Sequence, residues 1–265
     1  EPQKEYAMQY VVVRADGHVK RISDLYSEKV LHSDDQYEPK KVDPTLMDYP
    51  KQGDGYVTVI QTNKPEFEWS EATLNFKRPD KNNLVIYELW VYDYTPDRSL
   101  EAVTNRLDYL VSLGVNAIEL MPVTEFDGNY NWGYSPNHYF ALDKAYGTPD
   151  DLKKFVDLCH EHGIAVIVDM VFNHATGNSS HEKLYGGYNN LKDNPYFNVS
   201  APHGAAVFED WNHDNQDVKN YLTRALKFWL QEYKVDGFRM DLSHGFCGPN
   251  CNNRSSNINY YYNNG

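Results

Sequence analysis

The sequence has no long apolar run and a shortage of basic residues. Its 265 residues include 25 Lys and Arg against 38 Asp and Glu, which gives a formal net charge of −13. A chain this acidic is poorly suited to bind the phosphate backbone of a nucleic acid. A membrane-spanning helix needs about 20 apolar residues in succession, and no segment provides them. We therefore expect neither a nucleic-acid partner nor a membrane span.

Cysteine is scarce, with three residues in the chain. Cys159 falls in a predicted helix, where we expect a buried thiol. Cys247 and Cys251 lie close together in the segment CGPNC and could close a small loop disulfide. Such a pair favours an oxidising compartment. We therefore expect export to the periplasm, the cell surface or the medium in preference to a cytoplasmic location.

Glycine-rich phosphate-binding motifs are also missing. Neither GxGxxG nor GxxxxGK followed by Ser or Thr comes after the first apolar strand, which is predicted at 84–91. In those motifs backbone N–H groups and a helix N-terminus hold the phosphates, so their absence argues against a nucleotide-binding sheet.

Aromatic residues are abundant, at 14% of the chain, with 22 Tyr and 5 Trp. Hydrophobic residues make up 41%, which is enough for a sizeable core. The length suits one large domain or two small ones. Tyr and Trp rings can stack on sugar rings in a cleft, but they also fill ordinary cores and interfaces. Composition alone leaves both roles open.

Two regions of the chain differ in their sequence pattern. Residues 1–80 contain short strand-like runs at 6–14, 19–22 and 56–61, separated by turns and by loops rich in proline and glycine. They predict part of a β-sandwich domain with extended loops, and no set of catalytic residues stands out in them. Residues 81–265 form the second predicted domain.

In the second region, apolar strands alternate with amphipathic helices. This β/α order is typical of a parallel sheet covered by helices. Long insertions follow strands, including a loop at about 172–215, whereas the turns from helix to strand are short. Function is therefore expected at the carboxyl ends of the strands. The predicted strands are 84–91, 115–121, 164–171 and 235–241, and the predicted helices are 99–113, 149–163 and 217–233.

The number of strands falls short of a closed barrel. A TIM barrel needs eight strands and about 250 residues, and this region has room for about half of that. The tail at 247–265 is rich in Asn and Tyr, and neither a helix nor a strand is predicted there. We therefore expect an α/β fold with the first half of a (β/α)8 TIM barrel. We also expect the chain to be a fragment that ends in or just before the fourth helix.

The last predicted strand contains the segment KVDGFRMD. Side chains alternate in direction along a strand, so Arg239 and Asp241 should point the same way. A neighbouring guanidinium favours the ionised form of a carboxyl group. An aspartate held ionised at a strand end can act as a nucleophile. On these residues alone, a purely structural Arg–Asp pair is an equally good interpretation.

Two other segments carry polar residues at predicted strand ends. One is DMVFNH, in which Asp169 and Asn173 share one side of the strand while His174 should lie beyond its end. The other is NWGYSPNHYFALDKAYGTPDDLK, which contains Tyr134. With GFRMD these motifs stand in the order found in the catalytic domain of the α-amylase family, glycoside hydrolase family 13. Residues 84–246 resemble that domain.

The resemblance implies a retaining glycoside hydrolase that acts on α-1,4-linked glucans by double displacement. By resemblance, Asp241 is the nucleophile and Arg239 keeps it ionised. Asp169 supports the site, His174 hydrogen-bonds the sugar in the subsite where cleavage occurs, and Tyr134 stacks on the same sugar. Without a role in sugar binding, His174 would be a capping or core histidine and Tyr134 would pack within its loop.

The resemblance also implies residues that this sequence does not supply. The family's acid/base Glu ends strand five and a further Asp follows strand seven, and neither position exists here. Glu209, Asp210 and Asp214 are not assigned to those roles. We therefore expect the chain alone to be inactive. The alternatives are a branching or transglycosylating enzyme of the same family and a non-catalytic glucan-binding protein.

Calcium is a further expectation that comes from the resemblance. Many members bind it near the long loop after strand three, and Asn173 matches one ligand. The family's Lys-His pair after the nucleophile is replaced here by His244 and Gly245. This departure puts the calcium site in question, and His244 could replace the lysine as a sugar contact or simply pack in its loop. Residues 1–80 resemble the Ig-like, carbohydrate-binding-type β-sandwich that precedes the barrel in several members.

Overall fold

Four parallel strands form the main sheet of the protein, in a computed structural model that describes residues 1–37, 43–185 and 187–265. The strand order is the order of the sequence, and every neighbouring pair is parallel. This is the arrangement of successive strands in a β/α barrel. The strands are β6 (Ile86–Leu89), β7 (Ala117–Leu120), β10 (Ala165–Met170) and β13 (Gly237–Met240).

The register of this sheet sets the level of each side chain. In β10 and β13, Asp169 stands directly opposite Arg239. Two residues earlier in β10, Ile167 lies level with both Glu119 of β7 and Gly237 of β13. Because side chains alternate, Glu119, Asp169 and Arg239 share the face that lines the interior of a barrel. Arg239 and Asp241 also lie on one side, as predicted, since Nη1 of Arg239 contacts Oδ1 of Asp241.

Helices cover the opposite face, and two of them lie where they were predicted. They are α5 (Pro149–Glu161) and α7 (Gln216–Glu232). Thr148 caps α5 reciprocally with Asp151, and Pro149 occupies its first turn. Capping boxes and N-terminal prolines satisfy or remove the free N–H groups of a first turn. Both helices bury an apolar face in the hydrophobic core that they share with the sheet.

The predicted helix at 99–113 is wrong as a single element. It is divided into α3 (Leu100–Thr104) and α4 (Leu107–Ser112). Arg106 has a non-helical backbone, and its N–H bonds to the carbonyl of Val103 instead of continuing the α-helical ladder. Asn105, the residue before Arg106, is a weak helix former of a type that favours helix ends.

The tail was also predicted wrongly, because α8 (Arg254–Asn264) lies within it. The buried residues of α8 are Asn257 and Tyr261, so its sequence lacks the periodic apolar residues by which an amphipathic helix is recognised. Asn257 donates to a side-chain oxygen of Asp214 at 3.0 Å and to the carbonyl of Phe246 at 3.1 Å. The hydroxyl of Tyr261 lies 2.8 Å from Nδ1 of His213.

Smaller sheets surround the main one. Residues before the barrel form a three-stranded antiparallel sheet and a separate hairpin, so the β character predicted for 1–80 is observed. The Ig-like β-sandwich stays a prediction. Residues 38–42 of that region and residue 186 of the long loop lie outside the described residues. These strands are β1 (Glu5–Met8), β2 (Tyr10–Val13), β3 (Val19–Ile22), β4 (Val30–Leu31) and β5 (Val57–Gln61).

The loops after β7 and β10 contain strands of their own. They form two antiparallel pairs at the carboxyl ends of the main sheet, β8 with β9 and β11 with β12. The members are β8 (Thr124–Phe126), β9 (Pro136–Leu142), β11 (His174–Ala175) and β12 (Glu209–Asp210). Further short α-helices are α1 (Glu71–Leu74), α2 (Val91–Tyr94) and α6 (Ser180–Leu184), and 3-10 helices lie at Ser33–Tyr37, Lys81–Asn83, Tyr188–Asp193 and Ser243–Gly245.

The N-terminal region packs directly on the barrel region. The hydroxyl of Tyr56 donates to the carbonyl of Phe126 at 3.0 Å, and that of Tyr221 donates to the carbonyl of Leu25 at 2.8 Å. Cys159 is a buried free thiol and Cys247 is joined to Cys251, as predicted. The exported location stays a prediction. No helix among the described residues is long and apolar enough to cross a membrane.

Three buried histidines predict sensitivity to acid. Burial lowers the pKa values of His138, His181 and His213 from 6.5 to about 3. Between these values the unfolded chain binds more protons than the folded one, so the free energy of unfolding falls as pH decreases below about 6.5. His181 contributes ring contacts with Tyr196, Trp211 and Tyr221, which phenylalanine can keep.

We therefore expect His181→Phe to lose about 1 kcal/mol less unfolding free energy than the wild type between about pH 7 and about pH 5.5. Urea unfolding at the two pH values measures this difference. The exposed His162→Phe serves as the matched control and should follow the wild type. An equal loss in His181→Phe and the wild type would show that His181 does not couple folding to protons.

Candidate active site

A guanidinium group joins two carboxylates at the ends of neighbouring strands. One nitrogen, Nη1 of Arg239, donates to Oδ2 of Asp169 at 2.8 Å and to Oδ1 of Asp241 at 2.7 Å. The side chain of Asp169 is 1% exposed, whereas that of Asp241 is 21% exposed. The buried carboxylate of Asp169 therefore has a structural role. In the more accessible Asp241, Arg239 binds Oδ1 and leaves Oδ2 free.

Burial dominates the electrostatics of this group. It raises the pKa of Asp169 to about 6, although hydrogen bonds from Tyr134 and Arg239 act in the opposite direction. Burial also opposes the charge of Arg239, but its bonds to Asp169 and Asp241 outweigh that effect and hold its pKa above the usual range. Arg239 therefore stays charged while it orients both carboxylates.

Tyr134 is anchored to the same cluster. Its hydroxyl donates to Oδ2 of Asp169 at 2.8 Å, and burial together with this carboxylate raises the pKa of the phenol. The ring is partly buried. The structure thus brings Tyr134 next to Asp169 and Arg239, as the predicted site requires. Its stacking on a sugar stays a prediction.

His174 holds the loop of Tyr134 against the end of β10. Its Nε2 lies 2.9 Å from the carbonyl oxygen of Tyr134, so this nitrogen carries the proton and donates it. Its Nδ1 lies 3.0 Å from the amide nitrogen of Asn173 and accepts from it. Burial lowers the pKa of His174 and favours this neutral form. The predicted hydrogen bond to a sugar would compete with the Tyr134 carbonyl, and it stays a prediction.

Asn173 does not have a calcium-binding environment as the structure stands. Its Oδ1 is buried without a partner, so it could accept from a donor or face a cation. The nearby carboxylate of Asp210, however, already accepts from Asn198 at 2.6 Å and contacts His203 at 2.7 Å. Calcium prefers six to eight oxygen ligands. The described residues contain no cluster of three or more His, Cys, Asp or Glu suited to a metal.

The donor set therefore does not fit calcium while His203 contacts Asp210. The predicted role of Asn173 as a calcium ligand stays a prediction. His244 lies in a short 3-10 turn, Ser243–Gly245, and is exposed. Its predicted contact with a sugar stays a prediction.

A group of aromatic rings near the site was not singled out from the sequence. Trp90 directly follows β6, and its ring centroid lies 5.6 Å from that of Tyr130 and 6.2 Å from that of Trp132. Tyr130 is 63% exposed and Trp132 is 60% exposed. Their loop is the Tyr- and Trp-rich segment that contains Tyr134. Its aromatic composition was the sequence feature that could have indicated this group of rings.

Fold and site together define a class of protein. The ion-paired aspartates, the histidine and the exposed rings all lie at the carboxyl ends of parallel β/α strands, where β/α barrels place their active sites. Aromatic rings beside an ion-paired carboxylate suit a neutral polar ligand such as a sugar. The protein is therefore of the β/α-barrel class, with a site composed like that of a carbohydrate-active enzyme.

Comparison with known proteins identifies the family. The family model for the alpha-amylase catalytic domain matches residues 73–206. The chain is 35% identical over 228 residues to a malto-oligosyltrehalose trehalohydrolase of Saccharolobus solfataricus, an alignment that covers 84% of this chain. It is 32% identical over 193 residues, 69% of its length, to a 1,4-alpha-glucan branching enzyme of Methylococcus capsulatus. The chain belongs to the α-amylase family.

Solved structures agree on the fold. The catalytic module of the glycogen-degrading pneumococcal virulence factor SpuA superposes with a TM-score of 0.68 at 23% identity, covering 97% of this chain and 39% of that one. The fold of the chain is that of the first four strands of the family's barrel. The alignments cover 37% of the trehalohydrolase and 26% of the branching enzyme, so the chain spans about a third or less of these relatives.

Proposed function

We propose that this chain carries the nucleophile half of a retaining glycoside hydrolase that acts on α-1,4-linked glucans. The observation that carries the proposal is the contact of Arg239 with Asp169 and Asp241. It fixes one oxygen of Asp241 and leaves Oδ2 to attack the anomeric carbon. The attack forms a glycosyl ester on Asp241, and water then cleaves that ester with retention of configuration.

The same reaction needs a second carboxyl group. A retaining glycosidase uses it to protonate the leaving oxygen and later to deprotonate water, at about 5–5.5 Å from the nucleophile. Among the described residues, Arg239 is the one side chain that hydrogen-bonds the carboxylate of Asp241. Asp169 is engaged by Tyr134 and Arg239 and is buried, so it does not suit the acid/base role. We assign that role to the second half of the barrel.

A branching or transglycosylating reaction is the second candidate. Its support is the similarity to a 1,4-alpha-glucan branching enzyme. Transfer uses the same nucleophile, and a sugar hydroxyl in place of water accepts the glycosyl group. The two reactions are distinguished by their products, since hydrolysis releases reducing ends in proportion to bonds cleaved, whereas transfer conserves their number. A non-catalytic glucan-binding protein is a third candidate, which the aspartate–arginine arrangement disfavours.

Substitution of the proposed nucleophile tests catalysis. In a protein that joins this chain to the second half of its barrel, Asp241→Asn should lower kcat on soluble starch by on the order of 10⁴-fold or more, because the amide cannot form the glycosyl ester. The 265-residue chain by itself should show no turnover. Release of reducing sugar measures both.

The exposed Asp193→Asn, with the same change of charge and shape, serves as the control for this experiment. It should retain wild-type kcat. Full activity in Asp241→Asn would contradict the assignment of the nucleophile. Clear turnover by the isolated chain would contradict the assignment of the acid/base group to the second half.

The exposed rings predict glucan binding by the chain itself. Trp132→Ala should weaken binding of maltoheptaose about 2- to 10-fold, the range expected for the loss of one aromatic contact. Isothermal titration calorimetry measures the change without relying on Trp fluorescence. Tyr262 of α8 is 83% exposed and lies in another element, so Tyr262→Ala is the control. Equal affinities of the two variants would exclude Trp132 from the glucan site.

A further inference from the structure

His203, Asp210, Asn173 and Gly245 meet at one point beside the active site. The Nε2 atom of His203 lies 2.7 Å from Oδ2 of Asp210, and both side chains are 2% exposed. A Cβ on Gly245 would stand 1.6 Å from Oδ1 of Asn173 and 2.7 Å from Nε2 of His203. The amide oxygen and the imidazole nitrogen therefore face the same small space against the Gly245 backbone.

The hydrogen bonds define the state of the imidazole. Its Nδ1 accepts from the backbone N–H of Ala205 at 3.3 Å. Nε2 therefore carries the proton and donates it to Asp210, whose other oxygen accepts from Asn198 at 2.6 Å. A buried carboxylate is costly unless it is paired with donors or a cation. Here the donors are a neutral imidazole and an amide.

The cluster connects three segments around the proposed nucleophile. Asn173 lies between β10 and β11, directly before His174, and Asp210 lies in β12, where it pairs with His174 of β11. Gly245 ends the 3-10 turn that follows Asp241. The contacts of this cluster therefore hold the long loop against the ends of two strands in the active site. A divalent cation could hold the loop in the same way, by binding oxygen atoms from these segments.

We propose that the imidazole of His203 takes the place of a divalent cation. Its N–H fixes Asp210 beside Asn173, so the loop is held without metal. Removal of the imidazole takes the donor from Oδ2 of Asp210 and opens a space of atomic size beside Oδ1 of Asn173, which is already without a partner. That space then has the oxygen chemistry that calcium prefers. This inference does not depend on the reaction proposed above.

Thermal unfolding of the 265-residue chain tests the proposal, with each variant in EDTA and in millimolar calcium chloride. The wild type should have the same Tm in both. His203→Ala should have a lower Tm in EDTA and regain on the order of 5 °C in calcium, because binding to the folded state alone raises Tm. Magnesium should restore less, since it gives up its water reluctantly.

Two further variants make the result specific. His203→Gln keeps an N–H donor of similar reach and should remain insensitive to calcium. The exposed His162→Ala controls for loss of an imidazole elsewhere and should follow the wild type. The proposal is overturned if EDTA lowers the wild-type Tm, or if folded His203→Ala ignores calcium. If His203→Ala does not fold, a calcium-dependent Tm in His203→Gln overturns it and a calcium-independent one supports it.

Discussion

The charge of Arg239 is the constraint on which the site depends. Asp169 is almost fully buried, and an isolated carboxylate in that position would take up a proton or destabilise the fold. Arg239 stands opposite it in the register of β10 and β13 and pairs with it at 2.8 Å. The same nitrogen reaches Asp241, so the position of the accessible aspartate follows from the burial of the other one.

The loops at the strand ends are attached to this pair through single hydrogen bonds. Tyr134 donates to Asp169, and His174 donates to the carbonyl of Tyr134. Asn173 orients His174 from the opposite side. His203 and Asp210 then hold the long loop next to Asn173. Each connection uses a neutral donor, and Arg239 provides the one full positive charge within these contacts.

Local periodicity explains what could be predicted from the sequence. Alternation in the last strand placed Arg239 and Asp241 on one side, and apolar spacing marked α5 and α7, because both patterns depend on residues near one another in the chain. The helix α8 escaped prediction because its buried residues are Asn257 and Tyr261, whose hydrogen bonds lie outside the helix. The interruption between α3 and α4 escaped because the apolar spacing continues across it.

Contacts between distant segments could not be predicted in this way. His203, Asp210 and Gly245 belong to no periodic pattern, and the sequence signal at Gly245 was only a departure from the family's usual pair. The sequence showed that the loop of Tyr130 and Trp132 is rich in aromatic residues, but not that these two rings lie exposed beside Trp90. Their arrangement depends on the β8–β9 hairpin, whose paired strands lie on either side of that loop.

Covalent labelling can establish whether Asp241 is the nucleophile. The protein that joins this chain to the second half of its barrel would be treated with an activated fluoro-glucoside, which slows hydrolysis of the glycosyl ester and lets it accumulate. We expect one sugar adduct, located by peptide mass analysis on Asp241. An adduct on another carboxylate, or product formed with inverted anomeric configuration, would contradict it.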